Sequence, residues 1–105
     1  LSVPGLTGVY IGPADMSSSY GLPPKFDVRE DPVFSNIKLI AKKAKEYGKI
    51  AGIHNGSTAY AKEMINLGYK FVTILSDFRV MSSNSQKIVD EMKDTKNDGK
   101  EASTY

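Results

Sequence analysis

Three short apolar runs alternate with two amphipathic segments along most of this chain. The runs lie at residues 9–11, 50–53 and 70–75, and glycine or proline lies next to each of them. Short, apolar, β-branched runs between such breakers are typical of strands, and runs without polar alternation are typical of parallel strands buried on both faces. The alternation of strands and helices therefore predicts an α/β fold with a parallel sheet.

The segment after the first strand predicts a long amphipathic helix. Asp31 is a suitable N-cap, Pro32 is favoured at the first helical position, and Gly48 suits a left-handed residue at the helix end. Lysines occupy the face opposite the apolar residues, which recur at three- and four-residue spacing. The apolar positions are Val33, Phe34, Ile37, Ile40, Ala41 and Ala44.

A second helix is predicted between the second and third strands. Ser57 or Thr58 caps its start, and Gly68 ends it. The residues expected to face the sheet are Ala61, Met64 and Ile65. The loops are short, as a right-handed parallel crossover requires.

The last part of the chain predicts one more helix and then a tail. The helix begins shortly after Ser76 and Asp77, although a polar stretch at residues 82–85 interrupts its pattern. Residues 93–105 are polar and carry no apolar periodicity. We therefore expect one structured region over residues 1–92 and a flexible tail over residues 93–105.

Composition excludes several classes of protein. The chain has 105 residues, of which 40% are hydrophobic and 25% charged, which suits one folded domain and not a disordered one. No apolar run approaches the ~20 residues of a spanning helix, so no membrane partner is expected. A net charge of +2 gives no reason to expect nucleic acid. Cysteine is absent, which excludes thiolate sites and fits the cytoplasm.

The best candidate for chemistry lies where the first strand ends. Gly12 and Pro13 break the strand, and Asp15 follows at the carboxyl end, where α/β proteins place their site residues. Gly12 allows close approach of a ligand, and Pro13 stiffens the turn. An aspartate here is either an oxygen ligand of a site or simply a turn former or helix N-cap.

The sequence of this stretch resembles a known family. The motif GVYIGPADMS at residues 8–17 is similar to the sixth-strand signature of the HpcH/HpaI aldolases. The resemblance continues through Gly52-Ile53, Leu67-Gly68 and FVTILSD at residues 71–77, and it covers about residues 3–92. It implies a (β/α)8 barrel of about 250 residues, of which this chain holds the last three strand-helix units as a partial TIM barrel.

The resemblance also implies a site. Asp15 is expected to be one of two acidic ligands of Mg²⁺, Mn²⁺ or Co²⁺, and the backbone N–H groups of Ala14 and Asp15 to hold the pyruvate carboxylate. Gly12 and Pro13 would shape the floor of this substrate site. The second acid, the arginine and the catalytic histidine of the family belong upstream, so no catalytic residue lies in this chain. A homo-oligomer, commonly a trimer, is also implied.

His54 is the only histidine and follows the second apolar run. The family has an apolar residue here, so His54 contacts substrate, tunes the pocket, or forms a structural hydrogen bond in the loop. Asp77 is interpreted as an N-cap, and Arg79 as a residue at the barrel rim. Residues 16–25 are rich in Ser, Gly and Pro and are predicted to form a loop. The serines at residues 17–19 lack a base at a recognisable spacing and are assigned surface or capping roles. Tyr10 and Tyr47 are assigned to packing.

These observations lead to one preferred function and two alternatives. The preferred function is a metal-dependent aldolase that forms pyruvate from a 2-keto-3-deoxy or 4-hydroxy-2-oxo acid, with this chain inactive alone. A lyase of the citrate-lyase β type, which acts on CoA thioesters, shares the same metal-and-acid chemistry. The third hypothesis is a non-catalytic α/β module that self-associates through unpaired sheet edges.

Overall fold

The computed structural model describes residues 1–94. The elements in chain order are β1 (Gly8–Ile11), α1 (Pro13–Ser19), α2 (Val33–Glu46), β2 (Ile50–Asn55), α3 (Thr58–Leu67), β3 (Phe71–Ile74) and α4 (Asp77–Asp94). The chain divides into two compact units, Leu1–Ile74 and the part from Leu75 onward, and each is described by itself.

The first unit is built on a three-stranded parallel sheet in the order β1-β2-β3. Ile11 pairs with Ile53, and His54 pairs with Thr73. The three strands therefore end at one edge, which we call the carboxyl edge. The predicted parallel α/β arrangement is confirmed.

One face of the sheet packs against α2 and α3. Alternate strand residues such as Ala51 and Ile53 point into this core, because successive side chains of a strand lie on opposite faces. Tyr69 is fully buried there and donates a hydrogen bond from its hydroxyl to the Ile37 carbonyl at 2.6 Å. The buried cluster comprises Ile11, Val28, Val33, Ile37, Ala41, Ala44, Ala51, Ile53, Tyr60, Met64 and Tyr69.

The opposite face is open, and here the expectation of strands buried on both faces is wrong. Tyr10 is 51% exposed and Phe71 is 57% exposed. Their rings meet edge to face over Gly52, with centroids 5.6 Å apart. A Cβ at Gly52 would lie only 2.9 Å from the Tyr10 ring, so a residue without a side chain lets the two rings meet.

The predicted start of α2 is displaced by one residue. The helix begins at Val33, with Pro32 as its N-cap. Asp31 still stabilises this end, because its Oδ1 accepts hydrogen bonds from the Ser35 N–H at 3.0 Å and the Ser35 hydroxyl at 2.8 Å. The Ser35 hydroxyl and then the Ser35 N–H lower the pKa of Asp31. Gly48 is left-handed with φ +65°, as predicted.

The caps of α3 agree with the sequence, but its buried face differs. Ser57 is the N-cap, accepting a hydrogen bond from the Tyr60 N–H at 3.2 Å, and Gly68 is left-handed with φ +112°. Ile65 is 54% exposed, so its assignment to the core is wrong. Tyr60 is buried instead, beside Ala61 and Met64.

The second unit begins with one uninterrupted helix, α4. The polar stretch at residues 82–85 lies within it, and Lys93 and Asp94 form its last described turn. Most of the predicted tail lies outside the described residues. Within residues 1–94 no helix has the length and apolar character needed to cross a membrane.

Candidate functional site

The carboxyl edge places the first candidate at the end of β1. Gly12 follows Ile11 with extended backbone angles and is the N-cap of α1, and Pro13 occupies the first helical position. Met16 donates its N–H to the Gly12 carbonyl at 2.9 Å, which closes the first turn. Asp15 is thereby fixed in this turn and exposed to solvent.

The Asp15 carboxylate is not used by the fold. It forms no hydrogen bond and no ion pair with any of residues 1–94. A Cβ placed on Gly12 would lie 3.1 Å from its Oδ2, so the carboxylate extends back over the turn in space that Gly12 leaves open. The carboxylate is free to accept from an outside donor or to bind a cation.

The backbone of the same turn offers donors. Pro13 has no N–H, and the N–H groups of Ala14 and Asp15 lie in the first turn, where an α-helix provides no intrahelical acceptor. The predicted substrate-binding residues Gly12, Pro13, Ala14 and Asp15 thus form one continuous turn, which we call the β1 turn. The acceptor of this turn is the Asp15 carboxylate, and its donors are the N–H groups of Ala14 and Asp15.

The serines that follow are structural, and the expected loop is a helix. Residues 16–19 belong to α1, whereas the sequence favoured a loop from Met16 onward. Ser17 is buried and donates its hydroxyl to the Pro13 carbonyl at 2.9 Å, so its assignment to the surface is wrong. Ser19 donates to the Met16 carbonyl at 2.7 Å. No base contacts these hydroxyl groups within the described chain.

His54 lies in β2, one residue before the strand ends, and is half-buried. The register places it beside the β1 turn, because Ile11 pairs with Ile53. Its Nδ1 lies 2.8 Å from the Thr73 Oγ1, and the same Oγ1 lies 2.5 Å from the Tyr10 hydroxyl. The assignment of Tyr10 to packing is therefore incomplete, and Thr73 is a polar partner that the sequence did not reveal.

A second group of residues at this edge was also not predicted. Three consecutive residues, Asp27, Val28 and Arg29, each bond to α3 or to the turn before it, and we call them the 27–29 clamp. Asp27 accepts hydrogen bonds from the Gly56 N–H at 2.8 Å and the Ser57 hydroxyl at 2.6 Å. The partners lie about thirty residues away along the chain, beyond the reach of any local pattern.

The other two members of the clamp bond to side chains of α3. The Val28 carbonyl accepts from the Tyr60 hydroxyl at 2.6 Å. Arg29 forms a bidentate ion pair with Glu63, with N–O distances of 2.9 and 3.0 Å. The Arg29 guanidinium also lies 5.3 Å from the centre of the Tyr60 ring. Burial raises the pKa of Tyr60 to about 12, whereas the hydrogen bonds from Arg29 lower the pKa of Glu63.

Asp77 and Arg79 lie in the second unit. The cap of α4 is formed by Ser76, whose hydroxyl accepts from the Arg79 N–H at 3.2 Å. Asp77 is the first residue of the helix, and its Oδ1 accepts from the Phe78 N–H at 2.7 Å. Its carboxylate therefore stabilises a helix terminus, close to the predicted N-cap role.

Whether these residues fit a metal depends on the donors they offer. Among residues 1–94, no three His, Cys, Asp or Glu side chains come close enough to hold an ion together. At the carboxyl edge, Asp15 offers an exposed carboxylate without a partner among residues 1–94, the donor type that Mg²⁺ and Mn²⁺ prefer. The chain thus fits one ligand position of a hard cation and leaves the others to groups outside residues 1–94.

Comparison with known proteins shows that the chain is similar to aldolases. The chain is 35% identical over 89 residues to the hydroxypyruvate/pyruvate aldolase of Rhizorhabdus wittichii, covering 85% of this chain and 36% of that protein. It is 32% identical over 89 residues to the 5-keto-4-deoxy-D-glucarate aldolase of an Enterobacter species, covering 85% of this chain and 34% of that protein. No family model matches the chain.

A solved structure agrees with these relatives. An HpcH/HpaI aldolase/citrate lyase family protein from Burkholderia cenocepacia superposes with a TM-score of 0.77 at 26% identity, covering 86% of this chain and 34% of that one. The fold is therefore part of a TIM barrel, and the chain is a homologue of HpcH/HpaI aldolases, as its motifs predicted. It spans about a third of the length of the relatives it matches.

Proposed function

We propose that the protein to which this chain belongs is a divalent-metal-dependent aldolase. It reversibly cleaves a 2-keto-3-deoxy or 4-hydroxy-2-oxo acid to pyruvate and an aldehyde. The observation that supports this most directly is the Asp15 carboxylate, which has no partner among residues 1–94 and lies at the carboxyl edge of a barrel segment homologous to aldolases. Active sites of such barrels lie at this end of the strands.

Each residue of the β1 turn has a role in this proposal. Asp15 supplies one carboxylate ligand to Mg²⁺, Mn²⁺ or Co²⁺. The N–H groups of Ala14 and Asp15 donate to the carboxylate of pyruvate, and Gly12 and Pro13 form the floor beneath it. When bound, the divalent ion supplies Lewis-acid polarisation of the keto group. His54 contacts the substrate from the neighbouring strand.

The chain alone lacks the remaining parts of this chemistry. The second acidic ligand, the arginine and the histidine base are proposed to lie outside it, so the isolated chain is predicted to have no aldolase activity. A homo-oligomeric assembly and a cytoplasmic location remain predictions of the same proposal. Both apply to the longer protein.

One alternative has a specific observation behind it. The Burkholderia protein belongs to a family named for citrate lyase as well as for aldolase. A lyase of that type acts on CoA thioesters, whereas the curated relatives named above are aldolases of keto acids. Cleavage of a CoA thioester by the longer protein, without cleavage of a 4-hydroxy-2-oxo acid, would favour the lyase.

The decisive experiment is isothermal titration of Mn²⁺, with and without pyruvate, into the protein and its Asp15→Ala variant. We expect pyruvate to strengthen Mn²⁺ binding in the unaltered protein and the enhancement to be lost in the variant. Asp77→Ala is the matched control, because the Asp77 carboxylate bonds to the backbone in the first turn of α4, and this variant should bind Mn²⁺ as the unaltered protein does. Equal pyruvate-enhanced binding by Asp15→Ala would overturn the assignment of Asp15.

The titration is best made on the 105-residue chain and on the longer protein. If Asp15 needs the second acid, the chain alone binds weakly and the longer protein binds strongly. Absence of Mn²⁺ binding by the longer protein would refute the metal-dependent mechanism. Aldol cleavage in that protein, measured as pyruvate release, should fall with Asp15→Ala by several orders of magnitude.

A further inference from the structure

Three polar side chains on the open face of the sheet form a continuous hydrogen-bonded series. The Tyr10 hydroxyl lies 2.5 Å from the Thr73 Oγ1, which lies 2.8 Å from the His54 Nδ1. We call Tyr10, Thr73 and His54 the open-face triad. Each member comes from a different strand, so the register of the whole sheet holds them together.

The chemistry of the three groups sets the direction of the hydrogen bonds. A threonine hydroxyl has one proton to donate, so it can donate to only one of its two partners. A phenol donates more readily than an aliphatic hydroxyl, and a neutral imidazole has one ring nitrogen that only accepts. The favoured order is donation from Tyr10 to Thr73 and from Thr73 to the His54 Nδ1. The ring proton of His54 then lies on Nε2.

We propose that Tyr10 and Thr73 are positioning residues that hold His54 as its Nε2–H tautomer. His54 then presents one neutral N–H donor near the carboxyl edge, suited to an uncharged carbonyl or hydroxyl oxygen of the bound keto acid. This inference rests on the proposed function for its ligand class, but the tautomer itself does not depend on it.

Packing against Phe26 fixes the orientation of the His54 ring, as the hydrogen bond from Thr73 fixes the position of its proton. The Phe26 ring contacts His54 edge to face, with centroids 5.7 Å apart. Phe26 precedes the 27–29 clamp, whose bonds to Gly56 and Ser57 hold this segment against the turn after β2. The imidazole is therefore constrained by Phe26 and by Thr73, which is how a binding group is preorganised.

The tautomer can be measured directly because His54 is the only histidine in the sequence. A two-bond ¹H–¹⁵N correlation spectrum of the ¹⁵N-labelled chain shows a single imidazole and separates protonated from unprotonated ring nitrogens. We expect a single Nε2–H form in the unaltered chain. In Thr73→Val the Nδ1–H form should appear beside it, and in Thr73→Ser the single form should return.

Two results would overturn the inference. One is a dominant Nδ1–H form in the unaltered chain, and the other is an imidazole spectrum that Thr73→Val leaves unchanged. Tyr10→Phe is the second variant, since it removes the first donor without removing the ring, and it should also introduce the Nδ1–H form. Far-UV circular dichroism confirms that each variant is folded.

In the longer protein the consequence is a change in substrate binding. Thr73→Val should raise KM for the keto acid by about two- to tenfold, the range for one neutral hydrogen bond. In a His54→Leu background the same substitution should have no further effect, as expected of a residue that acts through His54. Mn²⁺ titration of Thr73→Val should match the unaltered protein, so failure of this inference is distinguishable from failure of the Asp15 proposal.

Discussion

Two aspartates at the same edge of the sheet are used in opposite ways. Asp15, in the turn after β1, is exposed and has no partner among residues 1–94. Asp27 reaches the turn after β2 and accepts two hydrogen bonds there, from Gly56 and Ser57. The comparison separates a carboxylate available for an outside ligand from one that holds the backbone in place.

The difference extends from the two aspartates to their surroundings. The β1 turn is followed only by residues 16–19 of the short helix α1. In the segment around Asp27, three consecutive residues bond to α3 or to its cap. A binding site needs a rigid backbone, as at the turn that Asp27 holds, and also a group that is available to a ligand, as the Asp15 carboxylate is.

The largest effect is expected from removing each aspartate in turn. Asp27→Ala should lower the free energy of unfolding by about 2–4 kcal/mol, because two charge-assisted hydrogen bonds are lost and their donors remain half-buried. Asp15→Ala should change it by less than about 0.5 kcal/mol, as expected of an exposed side chain without partners. Urea denaturation followed by circular dichroism measures both.

A matched variant separates hydrogen bonding from backbone strain at Asp27. Its φ of +52° is left-handed, a conformation that asparagine tolerates better than alanine does. Asp27→Asn keeps this tolerance and one acceptor oxygen, so it should lose less stability than Asp27→Ala. Equal losses for Asp15→Ala and Asp27→Ala would show that the contrast between the two turns is wrong.

The glycines of the two turns provide the next test. A Cβ at Gly56 would lie 2.7 Å from the Phe26 Cβ, so Gly56→Ala should destabilise the fold by about 1–3 kcal/mol through overpacking. A Cβ at Gly12 would meet mainly the Asp15 Oδ2, at 3.1 Å, which can rotate away. Gly12→Ala should therefore cost less than about 1 kcal/mol.

For Mn²⁺ binding the order of the two variants should be reversed, with the larger loss in Gly12→Ala. Gly12→Ala displaces the Asp15 carboxylate and is expected to weaken Mn²⁺ binding in the titration, whereas Gly56→Ala leaves that carboxylate in place. A larger loss of stability from Gly12→Ala than from Gly56→Ala would contradict the packing argument. Denaturation and titration of the two proteins side by side provide the measurement.

The sequence predicted the sheet and its helices better than it predicted the contacts at the site. Strand positions, their parallel order and the left-handed Gly48 and Gly68 follow from local signals, and the structure confirms them. The motif around Asp15 identified the homology, and Asp15 lies in the first helical turn after β1. Local chemistry was sufficient for these features.

The features that were missed depend on distant partners or on ambiguous patterns. The bonds of Asp27 and Val28 join residues about thirty positions apart, which no periodicity reveals. A strand that is apolar throughout does not show which side chains face the helices, so Tyr10 was assigned to packing. The sequence predicts a loop at the serine-rich α1, because serine favours caps and turns over helix interiors.

A smaller effect is expected from the middle contact of the clamp, the hydrogen bond from Tyr60 to Val28. Tyr60→Phe removes the hydrogen bond to the buried Val28 carbonyl and should cost about 1 kcal/mol at neutral pH. Because burial raises the Tyr60 pKa from 10.0 to about 12, its contribution is complete below pH 10 and is lost as the pH rises toward 12.

Denaturant midpoints measured through this alkaline range test the sign. The difference between the unaltered protein and Tyr60→Phe should shrink as the pH rises from 10.0 to about 12. Tyr69→Phe is the comparison variant, because burial also raises the Tyr69 pKa although its hydroxyl bonds to the Ile37 carbonyl, outside the clamp. Its stability difference from the unaltered protein should therefore also shrink in alkali. A constant difference between the unaltered protein and Tyr60→Phe across this range would refute the assignment.

The smallest effect is expected from the exposed anchor, the pair of Arg29 and Glu63. The hydrogen bonds from Arg29 depress the Glu63 pKa in the folded protein, so the pair stabilises the fold above the ordinary glutamate pKa of about 4.3. That stabilisation disappears as the pH falls through the lower, folded-state value. Exposed ion pairs contribute little, so Glu63→Gln should cost less than Tyr60→Phe at neutral pH.

Salt and acid distinguish this anchor from the other two. Urea midpoints of Glu63→Gln and of the unaltered protein should converge when the pH is lowered below the Glu63 pKa, and also when salt is added. Glu46→Gln, which breaks the exposed pair with Lys43 outside the clamp, gives the size of an ion pair within one helix. If Glu63→Gln proves more costly than Asp27→Ala, the ion pair and not the half-buried Asp27 carboxylate holds the turn after β2, and the contrast with Asp15 fails.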